Sequence, residues 1–474
     1  MSKISREYNS VYASSILILF LITQGLPASA LLWREISGDH SYRVILALIL
    51  LPLLLGLTQD LILVLTFRNL QISVYAGILI AVCGSPLCLW RREDLKRIMI
   101  VFSGHMRLQR FSMAASVLVA LIVLVYLLGN LYNNPIADWD ARSIWFFHAK
   151  ILFFDGGFKE TSWTLPTISF FSHPDYPQAV PILASQIAYL NGYWNEYDPL
   201  TSIAVLLVIE VMLSVYVLKT PAELILFWGL VGVFLSKTPF RDGLMDAHVA
   251  TLSALAAMCL LRRGTVTAMA DCCLGVLTLG LVASLKNEGL VLSLLLLAAC
   301  FLANSYFREA LLLSRRSIFI LAMAVLPTFL WLNLKRQWGL ANDLSTHGQL
   351  KRLMARINLH DVVMILGSTK VLLALFGMGI LFLANRLTSK NSAAANTLIL
   401  CAALYYGVLF AVYMTTPYDL QGHLETSANR VVYPIYVMLI CAIVLYFRSW
   451  RLLSLLVRRW SEPVKTESAT KLGR

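Results

Sequence analysis

Charge is scarce along this chain, and the scarcity excludes an ordinary soluble globular protein. Only 14% of its 474 residues are Asp, Glu, Lys or Arg, where a soluble domain carries roughly 25%. Cysteine is missing from the long polar stretches. All eight (Cys83, Cys88, Cys259, Cys272, Cys273, Cys300, Cys401, Cys441) fall in apolar runs or at their ends. No disulfide framework is implied, and they read as small apolar packers. The first apolar stretch lacks a small-residue cleavage site, so no signal peptide is expected. Internal repeats and low-complexity tracts are also absent, which weighs against the repeated halves common in transporters.

What fills the chain is apolar. It is 58% hydrophobic, with a mean hydropathy of +0.72. Runs of about 20 apolar residues suffice to cross a bilayer, and about thirteen are expected here, near 12–32, 43–65, 71–90, 111–131, 199–218, 222–236, 245–261, 267–285, 288–304, 317–334, 362–385, 395–414 and 431–448. Lipid leaves helices as the only form for such lone spans. The expectation is an all-α polytopic membrane protein of the cytoplasmic (inner) membrane.

The net charge of +13 would suggest nucleic acid in a soluble chain. Here the basic residues sit between apolar runs, so the positive-inside bias explains them and no nucleic-acid partner is expected. Arg91, Arg92, Lys96, Arg97, Arg107 and Arg110 fill a 91–110 loop. Arg262 and Arg263, then Arg308, Arg315 and Arg316, then Arg386 and Lys390, occupy alternate loops. Arg448, Arg451, Arg458 and Arg459 mark a basic cytoplasmic tail at 451–474. This pattern is self-consistent only if 132–198 makes no net crossing, so the apolar stretch 178–193 should lie in or dip into the outer interface. Four regions then face outward: 132–198, 237–244, the turn at 286–288, and 334–361 with 415–430. Lys335, Arg336, Lys351, Arg352 and Arg356 depart from the rule, standing on the side that should be poor in basic residues.

The 132–198 segment is the wet, acidic part of the chain. Seven carboxylates (Asp138, Asp140, Asp155, Glu160, Asp175, Glu196, Asp198) face three basic side chains (Arg142, Lys150, Lys159). Asp138 and Asp140 flank Trp139. One reading is general base catalysis, a carboxylate taking the proton of an attacking hydroxyl. The other is a helix N-cap beside a solvated acid. The aromatic stretch after Asp140 suits an interfacial helix at head-group level.

Three further outward sites carry polar groups. Asp246 and His248 stand at the mouth of a span, where they could bind a metal or orient a substrate hydroxyl, or simply snorkel. Lys286 and Glu288 form a charged turn, suited to a phosphate and a sugar or to a structural salt bridge. The 415–430 stretch leads into the last span. In it Arg430 suits phosphate oxygens, His423 offers a hydrogen bond to the same group, and anchoring of the last helix is the plain alternative. Glu210 lies mid-span and reads as a packed glutamate facing other helices.

Taken in order, these residues resemble the GT-C class of integral membrane glycosyltransferases, in particular the protein mannosyltransferase and aminoarabinose transferase branch and its bacterial relatives. Asp138-Trp139-Asp140-Ala141 matches the place of that branch's acidic motif, His173-Pro174 its His-Pro motif, and Asp246 its second outer-loop acid. Thr416, Pro417, His423, Ser427 and Arg430 match the bacterial relatives only. The resemblance covers about 111–448. It implies a GT-C-like helical bundle at 106–450 preceded by additional membrane helices at 1–105. It also implies a sugar donor on a polyprenyl phosphate or diphosphate, transfer outside the membrane with inversion, and a lipid or glycan acceptor. Asp140 is the first choice for the base and Asp138 the second. His173, Asp246, His248, Lys286, Glu288, His423 and Arg430 would bind substrate. The branch's usual Asp-Glu pair is replaced by Asp-Trp-Asp. No large soluble domain follows the last span, which points away from a peptide acceptor. No cofactor is assigned, and a divalent metal is left open. The competing readings are a flippase of a lipid-linked sugar and a surface-polysaccharide polymerase or ligase.

Overall fold

The computed structural model describes residues 3–33, 43–129, 131–132, 138–262, 268–342, 344, 348–387 and 392–449. The 451–474 tail, Arg263 and Lys390 lie outside them. Every regular element among the described residues is a helix. Seven helices are long and apolar enough to cross a membrane: Arg43–Phe67, Leu70–Trp90, Phe111–Leu128, Asp198–Val217, Arg315–Gln337, Ala393–Thr415 and Leu420–Arg448. Two bent pairs raise the count to nine, Asn287–Ala303 with Ser305–Leu312 (106°) and Leu359–Gly367 with Val371–Leu383 (73°). These lengths fit a multi-pass membrane protein.

Three of the thirteen expected segments are shorter apolar helices: Pro221–Leu235, Met245–Leu260 and Met269–Ala283. At 1.5 Å per residue they rise only about 22–24 Å, short of a hydrocarbon core of ~30 Å. Met245–Leu260 is buried at every position, so its neighbours satisfy what lipid would otherwise have to meet.

Two stretches expected as loops are helical. The 91–110 segment is the first half of one helix, Arg92–Leu128. Glu93–Lys96 (2.7 Å) and Arg91–Asp94 (3.3 Å) pairs support its start at helical spacing. The 1–105 boundary therefore falls inside a continuous helix. The Arg43–Phe67 helix also shares one hydrophobic core with the later helices. The 415–430 stretch is largely helix too. Asp419 caps Leu420–Val431 by accepting from the Gly422 N–H at 2.8 Å. Pro434 then stands at the start of Tyr433–Ser449, where a missing N–H costs least.

The 132–198 segment lies over one end of the bundle. A π-helical turn, Ala141–Trp145, runs into Phe146–Asp155. The apolar 178–193 stretch is Ala179–Asn191, thirteen residues and about 20 Å long. Its first ten positions, Ala179 to Ala188, are buried, and the Ala179 N–H reaches the Ser284 carbonyl at 3.2 Å.

Candidate functional site

A cavity of about 690 Å³ opens where the 132–198 segment, the Lys286 turn and the Leu420–Val431 helix meet. Its charged lining is Asp140, Asp246, Lys286, Glu288, Asp419 and Arg430. His173 and His423 also line it. Lys286 and Arg430 thus share one cavity with Asp140, although their sequence positions are far apart.

Asp140 occupies the N-cap position of the turn at Ala141 but makes no side-chain cap bond. Its carboxylate instead accepts from Arg430 Nη1 at 2.6 Å. Arg430 Nη2 donates to the Thr426 carbonyl at 3.3 Å. Groups from the first polar segment and from the 415–430 stretch are thus in direct contact. Asp138 holds the backbone here, its Oδ1 accepting from the Asp140 N–H at 3.1 Å. Burial raises the Asp138 carboxyl above its ordinary value. The Asp140 N–H and Arg430 oppose the rise, while the Asp140 and Asp246 charges add to it. Asp242, in the 237–244 segment, is likewise raised by burial and then by Asp138.

Lys286 ends an extended residue just before the Asn287–Ala303 helix. Its ammonium donates to Asp246 Oδ1 at 2.7 Å and stands 3.7 Å from Glu288. Burial alone would lower its proton affinity, but Asp246 and Glu288 hold it above the ordinary lysine value. Asp246 and Glu288 both lie in the first turns of their helices, where negative charge complements the helix dipole. The lining thus has four carboxylates against two fixed cations, each cation already paired.

The His-Pro corner is built from aromatic stacking and one buried acid. His173 adopts φ 45°, a left-handed conformation costly for a residue with a Cβ. Its ring stacks on Tyr176 at 5.3 Å, and Tyr176 stacks on Trp145 at 5.6 Å. Asp175 is buried; it accepts from Asn287 Nδ2 at 2.9 Å and Lys335 Nζ at 3.1 Å. That ties the corner to the Lys286 turn and to the Arg315–Gln337 helix. Below it, His148 is pushed down to about 3, burial being the main cause. Its neutral ring bonds the Ser172 hydroxyl at 2.6 Å.

His423 lies edge-on to Tyr413 and Tyr418, with centroids at 5.0 and 5.6 Å. Gly422, His423, Thr426, Ser427 and Arg430 line the cavity from one helix face, while Leu420, Leu424 and Ala428 bury the other.

Two expected site residues stand elsewhere. His248 is not on the cavity. It follows Asp246 by two residues, points to the opposite side of the helix, and its Nδ1 bonds Glu210 at 2.8 Å in the buried core. Asp138 supports Asp140 from behind and is not in the lining. Several lining residues were not singled out from sequence. Tyr405 and Tyr413 sit inside an apolar run, and Asn342 and Gln349 come from the 334–361 segment. A tyrosine in an apolar run was the one available signal, since a buried hydroxyl seeks a partner: Tyr413 meets Ser427 at 2.8 Å. The far wall is apolar, with Val291, Val408, Leu409 and Val412.

Among the described residues no group of three or more His, Cys, Asp or Glu side chains gathers to hold a metal ion. The chain matches no family model, no characterised protein and no solved structure.

Proposed function

We propose that the chain is an inverting glycosyltransferase of GT-C type, moving a sugar from a polyprenyl-phosphate-linked donor to a lipid or glycan acceptor at the outer face of the cytoplasmic membrane. One observation carries this reading. Asp140 and Arg430, from the two ends of the sequence resemblance, meet at 2.6 Å on a cavity that Lys286 also lines.

The chemistry follows from these groups. The acceptor hydroxyl attacks the anomeric carbon while its proton passes to the Asp140 carboxylate. The bond from that carbon to the donor's phosphate oxygen breaks, and the electron pair leaves with the phosphate. Inversion requires the sugar to lie between base and leaving oxygen. Arg430 cannot hold both, so donor entry breaks the Arg430–Asp140 pair. The guanidinium turns to the phosphate, and Asp140 is released to the hydroxyl. Lys286 adds a second cation where charge develops. The apolar wall at Val291, Val408 and Val412 suits the start of a hydrocarbon chain, and the cavity volume suits a phosphosugar head group.

The flippase reading needs a polar path through the depth of the bundle. The deep acids Asp60 and Glu210 are each held by a neighbouring side chain, Gln186 at 2.6 Å and His248 at 2.8 Å, and neither lines the cavity.

The test supplies membranes with radiolabelled polyprenyl-phosphate sugar. Asp140→Asn is expected to lower transfer by about 10²–10⁴-fold, the usual weight of a general base. Transfer equal to the parent would remove Asp140 from that role. Sugar crossing proteoliposomes without a new glycosidic bond would favour the flippase.

A further inference from the structure

The short helix at one rim of the cavity turns its apolar face outward. Gln349–Arg356 begins at the cavity, which Gln349 lines. Arg352 and Arg356, one turn apart, form its inward face. Arg352 Nε donates to the Thr415 carbonyl at 2.7 Å. Arg356 donates to the carbonyls of Tyr413 and Thr416 at 2.9 Å and of Tyr418 at 2.8 Å. All four acceptors stand at the end of Ala393–Thr415, a helix long and apolar enough to cross a membrane. Leu353 packs beside them on the cluster that holds Tyr413 and Met414. The eight-residue helix, about 12 Å long, therefore lies against the end of that candidate span.

The other face is apolar and bare. Leu350 and Met354 are one turn apart and stand two residues from Arg352 on either side, which puts them on the opposite face. Ile357 and Leu359 extend the run past the end of the helix. These four side chains are 61–79% exposed, so the described residues leave them uncovered. Lys351 and Ala355, exposed as well, flank the apolar face.

The surroundings of this face point to what covers it. The run passes directly into Leu359–Gly367, where Val363 is also exposed. That helix forms, with Val371–Leu383, one of the two bent candidate spans. The apolar face is thus bracketed by two segments apolar enough to cross a bilayer, and hydrocarbon that meets them meets it too. An apolar face flanked by a basic residue is the pattern of helices that lie in a head-group layer. There a lysine stem follows the apolar surface while its ammonium stays among the polar groups.

We propose that Gln349–Arg356 is a membrane-surface helix. Leu350, Met354 and Ile357 enter the acyl region of the leaflet on the cavity side, Lys351 stands among its phosphates, and the Gln349 rim of the cavity is held at head-group depth. Such anchoring is independent of the transferase reading.

The test uses the full chain carrying Cys83→Ser and Cys88→Ser, which removes the two cysteines that are not buried. It is reconstituted in vesicles of phosphatidylcholine and phosphatidylglycerol. Nitroxide labels are placed one at a time through Leu350→Cys, Lys351→Cys, Met354→Cys, Ala355→Cys and Ile357→Cys. All five side chains are exposed, so labelling leaves the core intact. Collision of each label with oxygen, which concentrates among acyl chains, is compared with collision with a water-soluble nickel chelate. The oxygen-to-nickel ratio is expected to be several-fold higher at 350, 354 and 357 than at 351 and 355. An equal ratio at all five positions, whichever reagent leads, overturns the proposal. So does exclusion of both reagents at 350 and 354, which would make the face a contact with a second copy of the chain rather than with lipid.

Discussion

Asp140 abandons the local role its position offers. An aspartate before a helical turn ordinarily caps it, yet this carboxylate reaches Arg430, 290 residues away in sequence. That choice makes Arg430 the residue whose loss should be felt next after Asp140. Arg430→Ala is expected to reduce sugar transfer by about 10²-fold or more, as for loss of one charge-stabilising donor, while Arg430→Lys keeps part of the rate. Measurement of kcat/KM in both variants decides it. Asp138 makes a pH prediction. Its carboxyl is raised by burial, so as pH falls it takes up its proton before an ordinary aspartate would. The pair then loses one negative charge, and transfer should fall along an acid limb lying above the ordinary carboxylate range. Asp138→Asn should remove that limb from the pH–rate profile, and a limb unchanged in the variant would contradict the role. At this scale the sequence was informative about Asp140, Asp246, Lys286, His423 and Arg430, because ionisable groups at the ends of apolar runs stand out. It was uninformative about Asp175 and Tyr405. Their importance arises from partners in other helices, which spacing along one segment does not reveal.

At the scale of elements, three of the five basic residues that depart from the expected charge pattern, Lys335, Arg352 and Arg356, have a structural use. Arg352 Nε donates to the Thr415 carbonyl at 2.7 Å. Arg356 donates to the carbonyls of Tyr413, Thr416 and Tyr418 at 2.8–2.9 Å. Both guanidiniums cap the exposed carbonyl end of the Ala393–Thr415 helix, where positive charge also meets the dipole. Arg241 does the same for the Arg92–Leu128 helix through the Tyr126 and Leu127 carbonyls. Lys335 is held by Asp175. Lys286 and Arg430 are the two fixed cations in the cavity lining. Arg356→Ala should cost about 1–3 kcal/mol of local stability by leaving acceptors without donors. Hydrogen exchange of the 413–424 amides should rise in that variant and remain unchanged in the Arg43–Phe67 helix. Capping of this kind was invisible beforehand, since it joins segments 57 to 115 residues apart.

The whole molecule depends on close helix approach at its early end. A Cβ on Gly56 would stand 1.8 Å from the Leu21 carbonyl oxygen, and one on Gly25 would stand 1.9 Å from that of Pro52. The two glycines let Lys3–Ala30 and Arg43–Phe67 touch backbone to backbone, as small residues do between membrane helices. Gly56→Val is expected to drive them apart and to lower the recovery of folded protein in detergent, whereas Gly377→Ala, with open space around it, should be tolerated. Thermal unfolding of both variants checks this. The helical class and the places of the apolar segments were legible from hydropathy. How far each helix reaches was not, because a helix buried on all sides needs no more than about 22–24 Å, and composition alone does not distinguish it from a full span.

The central claim is that the first polar segment and the last helices converge on one cavity that receives a phosphate-linked sugar. Its most direct test is an electron cryo-microscopy map of the protein with a non-transferable polyprenyl-phosphate sugar. The account predicts the phosphate within hydrogen-bond distance of Lys286 and Arg430, the sugar against Asp140, and the Arg430–Asp140 pair broken. Donor density elsewhere on the bundle, with that pair intact and the cavity empty, would contradict it.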